Sequence, residues 1–197
     1  ITRCMTVLAF VVLCTLATVA RADEVKIGGF WIPGVSVEAI RDGRIYYYTA
    51  TGEPVNRPIE DLSAIKMRAY PKLGEGQDAM DRGDYGEAFR ALQTVMNQGP
   101  EPWLSQWVRA KLVTVYDELG RATDAARTYA DLVEDEAPAS LLLNPPLKSI
   151  ANASNQDKER IVEMLEPVEE YIENREVKAA VARLIREATV VTQPTQD

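Results

Sequence analysis

Two stretches of the chain share one spacing. Gly83, Ala88, Leu92, Val95 and Pro100 recur as Gly120, Ala125, Tyr129, Leu132 and, one residue late, Pro138. Each set is a turn glycine, then a small residue, then larger apolar residues spaced by four and three, then a breaker. Such spacing gathers the apolar side chains on one side of a helix. It therefore predicts a helix-turn-helix unit used twice. Units of this kind bury a continuous core only by stacking on neighbours.

The spacing resembles the tetratricopeptide repeat, whose pattern has a Gly in the turn, an Ala early in the second helix, an aromatic or Leu four residues later and a Pro at the end. The resemblance implies an architecture that binds other proteins and seldom does chemistry. Repeat one runs over 69–100. Its first helix reads as broken, because Pro71, Gly74 and Gly76 all lower helix propensity; its second runs from Tyr85 to Asn97. Repeat two is expected as Trp103 to Leu119 and Ala122 to Glu134, with Leu112, Tyr116 and Gly120 at the family's first-helix and turn positions. Gly83 and Gly120 lie 37 residues apart, against about 34 for the family, and the surplus falls in the loop around Pro100-Glu101-Pro102.

In that family the groove is lined by first-helix positions facing away from the small packing residues. Carried over in the register of Ala88 and Ala125, these fall on Tyr70, Leu73, Gln77, Met80 and Asp81, and on Trp107, Ala110, Thr114, Asp117 and Glu118. The candidate partner contacts are Tyr70, Gln77, Asp81, Trp107, Thr114, Asp117 and Glu118. Aromatic anchors mixed with acids suit an extended or helical segment carrying apolar and Lys or Arg side chains. The alternative is that Trp107, with Trp103 one turn before it, packs onto the preceding hairpin or the β-module. Leu73 and Gln77 replace the first Lys and Asn of the family's carboxylate clamp, so recognition of a C-terminal carboxylate is not expected.

Ahead of the repeats, 23–68 has strand character: Val25 to Gly29, Val35 to Arg41, Arg44 to Ala50, Glu53 to Ile59 and Ser63 to Met67, with Asp42-Gly43 and Thr51-Gly52 at hairpin turns. Val35, Val37 and Ala39 alternate with Ser36 and Glu38, as in a sheet with one buried face. This segment resembles the small Sm-like or SH3-like barrels, with Pro54 and Pro58 requiring an edge or bulge in the fourth strand. The fold class expected is α+β: a small antiparallel β-barrel-like module followed by an all-α domain of two tetratricopeptide-like repeats (69–138). Over 139–190 come a proline-interrupted linker and a closing helical hairpin. Its first helix starts at Ser154 and has Pro167 inside; 191–197 is a polar tail.

Arg3, an apolar run from Met5 to Leu16 and Ala20-Arg21-Ala22 read as a signal peptide over 1–22, cut before Asp23. An uncleaved anchor is the alternative, and the sole expected route to a membrane. Cleavage removes both cysteines, Cys4 and Cys14, so no disulfide or Cys-ligated metal is expected in a periplasmic or secreted product. The formal net charge of −8 becomes two units more negative as Arg3 and Arg21 leave. Such acidity disfavours nucleic acid and anionic membranes and fits a basic or neutral protein partner.

The chain contains no His, which removes imidazole-based triads, His-ligated zinc and imidazole proton shuttles. Acidic runs such as Glu134-Asp135-Glu136 read as solvated helix faces. Ser63 and Lys66 have the spacing of a Ser-Lys hydrolase, but in a strand they point to opposite faces. No cofactor is expected. Tyr46-Tyr47-Tyr48 invites a stacking platform, with Tyr46 and Tyr48 on one face. The function expected is a non-enzymatic adaptor of the cell envelope, of undetermined oligomeric state. The alternatives are a cell-wall or glycan-binding module using the tyrosine strand, or a fixed subunit of an envelope assembly.

Overall fold

The computed structural model describes residues 22–190. The expected leader and the polar tail lie outside the described residues, apart from Ala22. Runs of β-branched and aromatic residues punctuated by positive-φ turns form five strands: β1 (Asp23–Ile27), β2 (Phe30–Arg41), β3 (Arg44–Tyr48), β4 (Pro54–Pro58) and β5 (Leu62–Lys66). At the β2–β3 turn, Asp42 and Gly43 have φ of 52° and 66°, the left-handed pair that a tight hairpin needs. Gly28-Gly29 makes the β1–β2 turn in the same way, so β2 begins at Phe30, five residues before its expected start. The sheet is antiparallel, in the order β4-β3-β2-β1-β5. Register shifts opposite Gly34 and at Glu38 let the long β2 pair with β1 along its first half and with β3 along its second.

The expected barrel-like module is a five-stranded antiparallel sheet that does not close. β4 and β5 stand at opposite edges, with no ladder between them among the described residues. Pro54 and Pro58 leave β4 short of donors, which suits an edge. A 3-10 turn, Ile59–Asp61, carries the chain from that edge to the other. There, helices cover β5 in place of a closing strand.

Those helices are α1 (Pro71–Asp81), α2 (Tyr85–Asn97), α3 (Pro102–Glu118) and α4 (Ala122–Glu134). Pro71 and Pro102 occupy first-turn positions, where a missing N–H costs nothing. The Asp84 carboxylate caps α2 by accepting from Glu87 N at 2.9 Å. α1 and α3 end alike, with Gly83 and Gly120 left-handed and a six-to-one bond closing the turn: Asp84 N to Ala79 O and Arg121 N to Tyr116 O, both 2.9 Å.

α1 is an unbroken helix, contrary to the expectation from its proline and glycines. A Cβ on Gly74 would lie 3.0 Å from Lys66 Cγ, and one on Gly76 would lie 3.0 Å from Leu92 Cγ and Cδ2. Both glycines face packing partners, and the close approach they permit outweighs their poor propensity.

The remaining chain forms α5 (Ala139–Leu142), α6 (Leu147–Ala151), α7 (Asn155–Tyr171) and α8 (Arg175–Thr189). Pro145 and Pro146 confine α5 and α6 to short pieces. Ser154 caps α7 through Asp157 N at 3.1 Å. α7 packs on α4, while α6 packs on α3 and α8.

Burial does not follow the change of periodicity near residue 68. One continuous core joins the sheet (Val25, Ile45, Ile65) to α1 and α2 (Leu73, Leu92) and to one side of α3 (Leu104, Trp107, Val115). A second core runs from Val113 on α3 through Tyr129 of α4 to Ile161, Leu165 and Leu184. Thus α3 belongs to both. Inside the second core, the buried Tyr129 hydroxyl donates to Leu142 O at 2.6 Å, tying α5 down. Burial raises the Tyr129 pKa above its ordinary value, so the phenol keeps its proton. Tyr129→Phe is expected to lower stability by about 1–2 kcal/mol, since it leaves a carbonyl unpaired in the core. Urea denaturation measures this, and a loss within error would show that water replaces the hydroxyl.

Candidate partner-binding surface

The seven candidate contacts lie on α1 and α3 or at their ends, but the chain itself covers much of the face they share. Trp107, expected as an anchor for a partner, is 2% exposed. It lies in the core formed with the sheet, as the alternative reading had it, and that corrects its placement on an open face. The seam beside it is charged. Lys111, one turn further along α3, places Nζ 4.5 Å from the Trp107 ring centre and donates to Ser63 O of β5 at 3.1 Å.

Desolvation pulls the Lys111 pKa down to about 8, with Asp81 opposing the shift. Below pH 8 the ammonium is charged in both folded and unfolded chains, and the full cost of burying it is present. Between pH 8 and 10.5 the folded chain loses this proton first, so stability rises with pH. Lys111 is expected to contribute a gain of about 2 kcal/mol across that window, offset near its upper end as the unfolded Tyr129 phenol ionises, and Lys111→Met should remove the rise in urea denaturation. Equal slopes for the two proteins would show that Lys111 is solvated.

On α1, Asp81 lies 3.7 Å from Lys26 of β1 and accepts from Gln77 Nε2 at 2.9 Å. Lys66 of β5 pairs with Asp78 at 2.9 Å, and its ammonium sits 4.6 Å from the Trp31 ring centre. Tyr70 precedes α1 and is half-buried; its N–H donates to Met67 O at 3.1 Å, and its ring packs against the first core. At the other end of α3, Asp117 Oδ1 accepts from Ser149 N of α6 at 2.6 Å, and Glu118 pairs with Lys148. That carboxylate raises the Lys148 pKa.

The face is therefore divided. The sheet covers Trp107 and brings Lys26 beside Asp81, whose carboxylate stays exposed, while α6 lies against Asp117 and Glu118. Thr114 and Asp81 remain exposed, with Gln77 half-buried between the two ends. Sequence reasoning missed Lys26 and Lys148 as counter-ions of the groove acids Asp81 and Glu118. Their pairing with α1 and α3 depends on contacts across long sequence separations, which no local spacing encodes.

On β3, Tyr47 is core at 4% exposure while Tyr48 is 42% exposed. Tyr46 is half-buried under Arg41, whose guanidinium carbon lies 4.4 Å from its ring centre. Among the described residues no cluster of three or more His, Cys, Asp or Glu is placed to hold a metal, and no helix is long and apolar enough to cross a membrane.

Residues 79–143 match the family model for the tetratricopeptide repeat. The match covers the second half of repeat one and all of repeat two, and it supports a tetratricopeptide-repeat assignment for this part of the chain. The comparisons with curated proteins and with solved structures returned no match.

Proposed function

We propose that this chain, which carries tetratricopeptide repeats over 79–143, is a non-enzymatic adaptor of the cell envelope that holds a partner protein on its helical surface. Repeats of this kind are in general protein-binding modules and typically not catalytic, and that repeat pair is the observation carrying the proposal. The envelope assignment rests on the leader-like sequence around Met5 to Leu16 and Ala20-Arg21-Ala22. The acidic balance favours a partner rich in Lys or Arg. Within the groove, Gln77, Asp81 and Thr114 are the positions left for such a partner, with Tyr70 and Glu118 at the ends.

The test is crosslinking of the tagged chain in the source cell envelope. Co-purifying proteins would be compared between the wild type and Gln77→Ala/Asp81→Ala/Thr114→Arg, with folding checked by circular dichroism. Loss of a stoichiometric partner in the folded variant assigns binding to the groove. A partner retained by the variant moves the contact elsewhere on the helices, and no specific partner for the wild type defeats the adaptor proposal. The exposure of Tyr48 beside Tyr46 keeps a glycan-binding alternative. Retention on peptidoglycan that Tyr46→Ala/Tyr48→Ala abolishes would favour it.

A further inference from the structure

We infer that the cleft between α4, α7 and α8 seats a large apolar side chain of a partner segment that carries Lys or Arg beside it. This rests on the adaptor proposal and names a principal contact outside the groove. The cleft is open to solvent and has a volume of about 580 Å³, large enough to seat a bulky side chain. Leu142, Val168 and Val177 are buried beneath it, so its floor is apolar. At its side stands Tyr171, 82% exposed. Single exposed apolar residues are ordinary, but this one adjoins an apolar hollow that it does not fill.

Charge identifies the occupant. Glu134, Glu136 and Glu173 line the cleft, and no Lys or Arg lines it among the described residues. None of the three carboxylates lies within ion-pair distance of a described cation, whereas Asp135 in the same turn is held by Arg109. An apolar floor with an uncompensated acidic rim complements a hydrophobic side chain flanked by cations.

The end of α4 supplies an independent observation. It closes with the same six-to-one bond as α1 and α3, here Ala137 N to Leu132 O at 3.0 Å. The left-handed position that is Gly83 and Gly120 at those ends is Glu136 here, at φ 51°. A side chain is disfavoured at that position, so local folding alone would choose glycine. The carboxylate on the cleft rim is what glycine would lack.

The experiment measures fluorescence anisotropy of labelled amphipathic peptides with the purified protein. The probes are one peptide of Leu and Lys, one of Leu and Glu in the same pattern, and one of Ser and Lys. Leu/Lys is expected to bind, with the other two weaker by about tenfold or more. Tyr171→Ser should weaken Leu/Lys binding by about tenfold and Glu136→Gly by about threefold, while Glu60→Gln, which removes one charge on the sheet side, leaves it unchanged.

Equal loss in Glu60→Gln would mean diffuse charge attraction, and equal binding of Ser/Lys would mean that the apolar floor is unused; either overturns the inference. So would a concentration-dependent dimer in sedimentation that Tyr171→Ser abolishes, since a second copy would then be the occupant. Glu136→Gly should fold at least as stably as the wild type, so its weaker binding cannot be assigned to unfolding. In the envelope crosslinking, a partner lost in Tyr171→Ser supports the cleft. A partner kept there but lost in the groove variant defeats the cleft and leaves the adaptor proposal standing.

Discussion

Trp107→Ala should lower the stability of the chain by about 3–5 kcal/mol, the range for removing a large aromatic from a packed core. The ring lies in the core shared by the sheet and the first three long helices and is 2% exposed. Truncation would therefore open a cavity where the sheet meets α3, beneath the Lys111 ammonium that now lies against the ring. The cost would combine lost apolar burial, the cavity and a half-buried cation deprived of its aromatic neighbour. Equilibrium urea denaturation followed by circular dichroism measures it. A loss under about 1 kcal/mol would place the ring near solvent. For the same reason, a Trp107→Ala variant that fails to bind a partner reports weakened folding before it reports a lost contact.

The second large effect is expected at Gly76. On propensity alone, replacing a helical glycine should stabilise α1 by up to about 1 kcal/mol. Packing reverses the sign, since the added Cβ would meet Leu92 Cγ and Cδ2 at 3.0 Å across the α1–α2 contact. Gly76→Val adds branched bulk at that contact, and a loss of about 3 kcal/mol is expected from the forced separation of the two helices. Gly76→Ala should come out near neutral, because a small shift of Leu92 offsets the propensity gain. Gly83→Ala fails for a different reason. Nothing lies within 4 Å of its added Cβ, but φ is +75°, so a cost of about 1–2 kcal/mol comes from backbone conformation alone. Thermal denaturation of the three variants separates the effects. A Gly76→Val protein as stable as the wild type would mean that α1 and α2 pack less closely than described.

Several features were legible from residues close together in the chain. Asp42-Gly43 marks its own hairpin because two adjacent residues supply the required φ values. Gly83 and Gly120 mark helix ends because each lacks the side chain that a left-handed residue disfavours. The Ser154 cap needs only the amide three residues on. The missed features have the opposite character. Gly28-Gly29 is a turn signal as clear as Asp42-Gly43, but it reads as the end of a strand, and β2 runs through Pro33 and Gly34 only because a register shift opposite Gly34 accommodates them. Gly74 and Gly76 suggested a weak helix, since propensity is local while their partners, Lys66 and Leu92, lie on other elements. The cleft beside Tyr171 is formed by the ends of three helices, and no periodicity places those ends together.

What the sequence by itself determined is the series of local units: strands where alternating residues meet tight turns, helical pairs where small and bulky residues recur at four and three, and the limited chemistry of a chain without histidine. The tertiary structure alone decided which faces meet. Hydrophobic burial is non-directional and proportional to area, so the apolar side of the sheet could close on itself as a barrel or pack on helices. The strand periodicity does not distinguish the two. Donor-poor prolines at the β4 edge and the fit of Trp107 and Leu73 into the same core selected the helices. That choice turned part of the repeat groove inward.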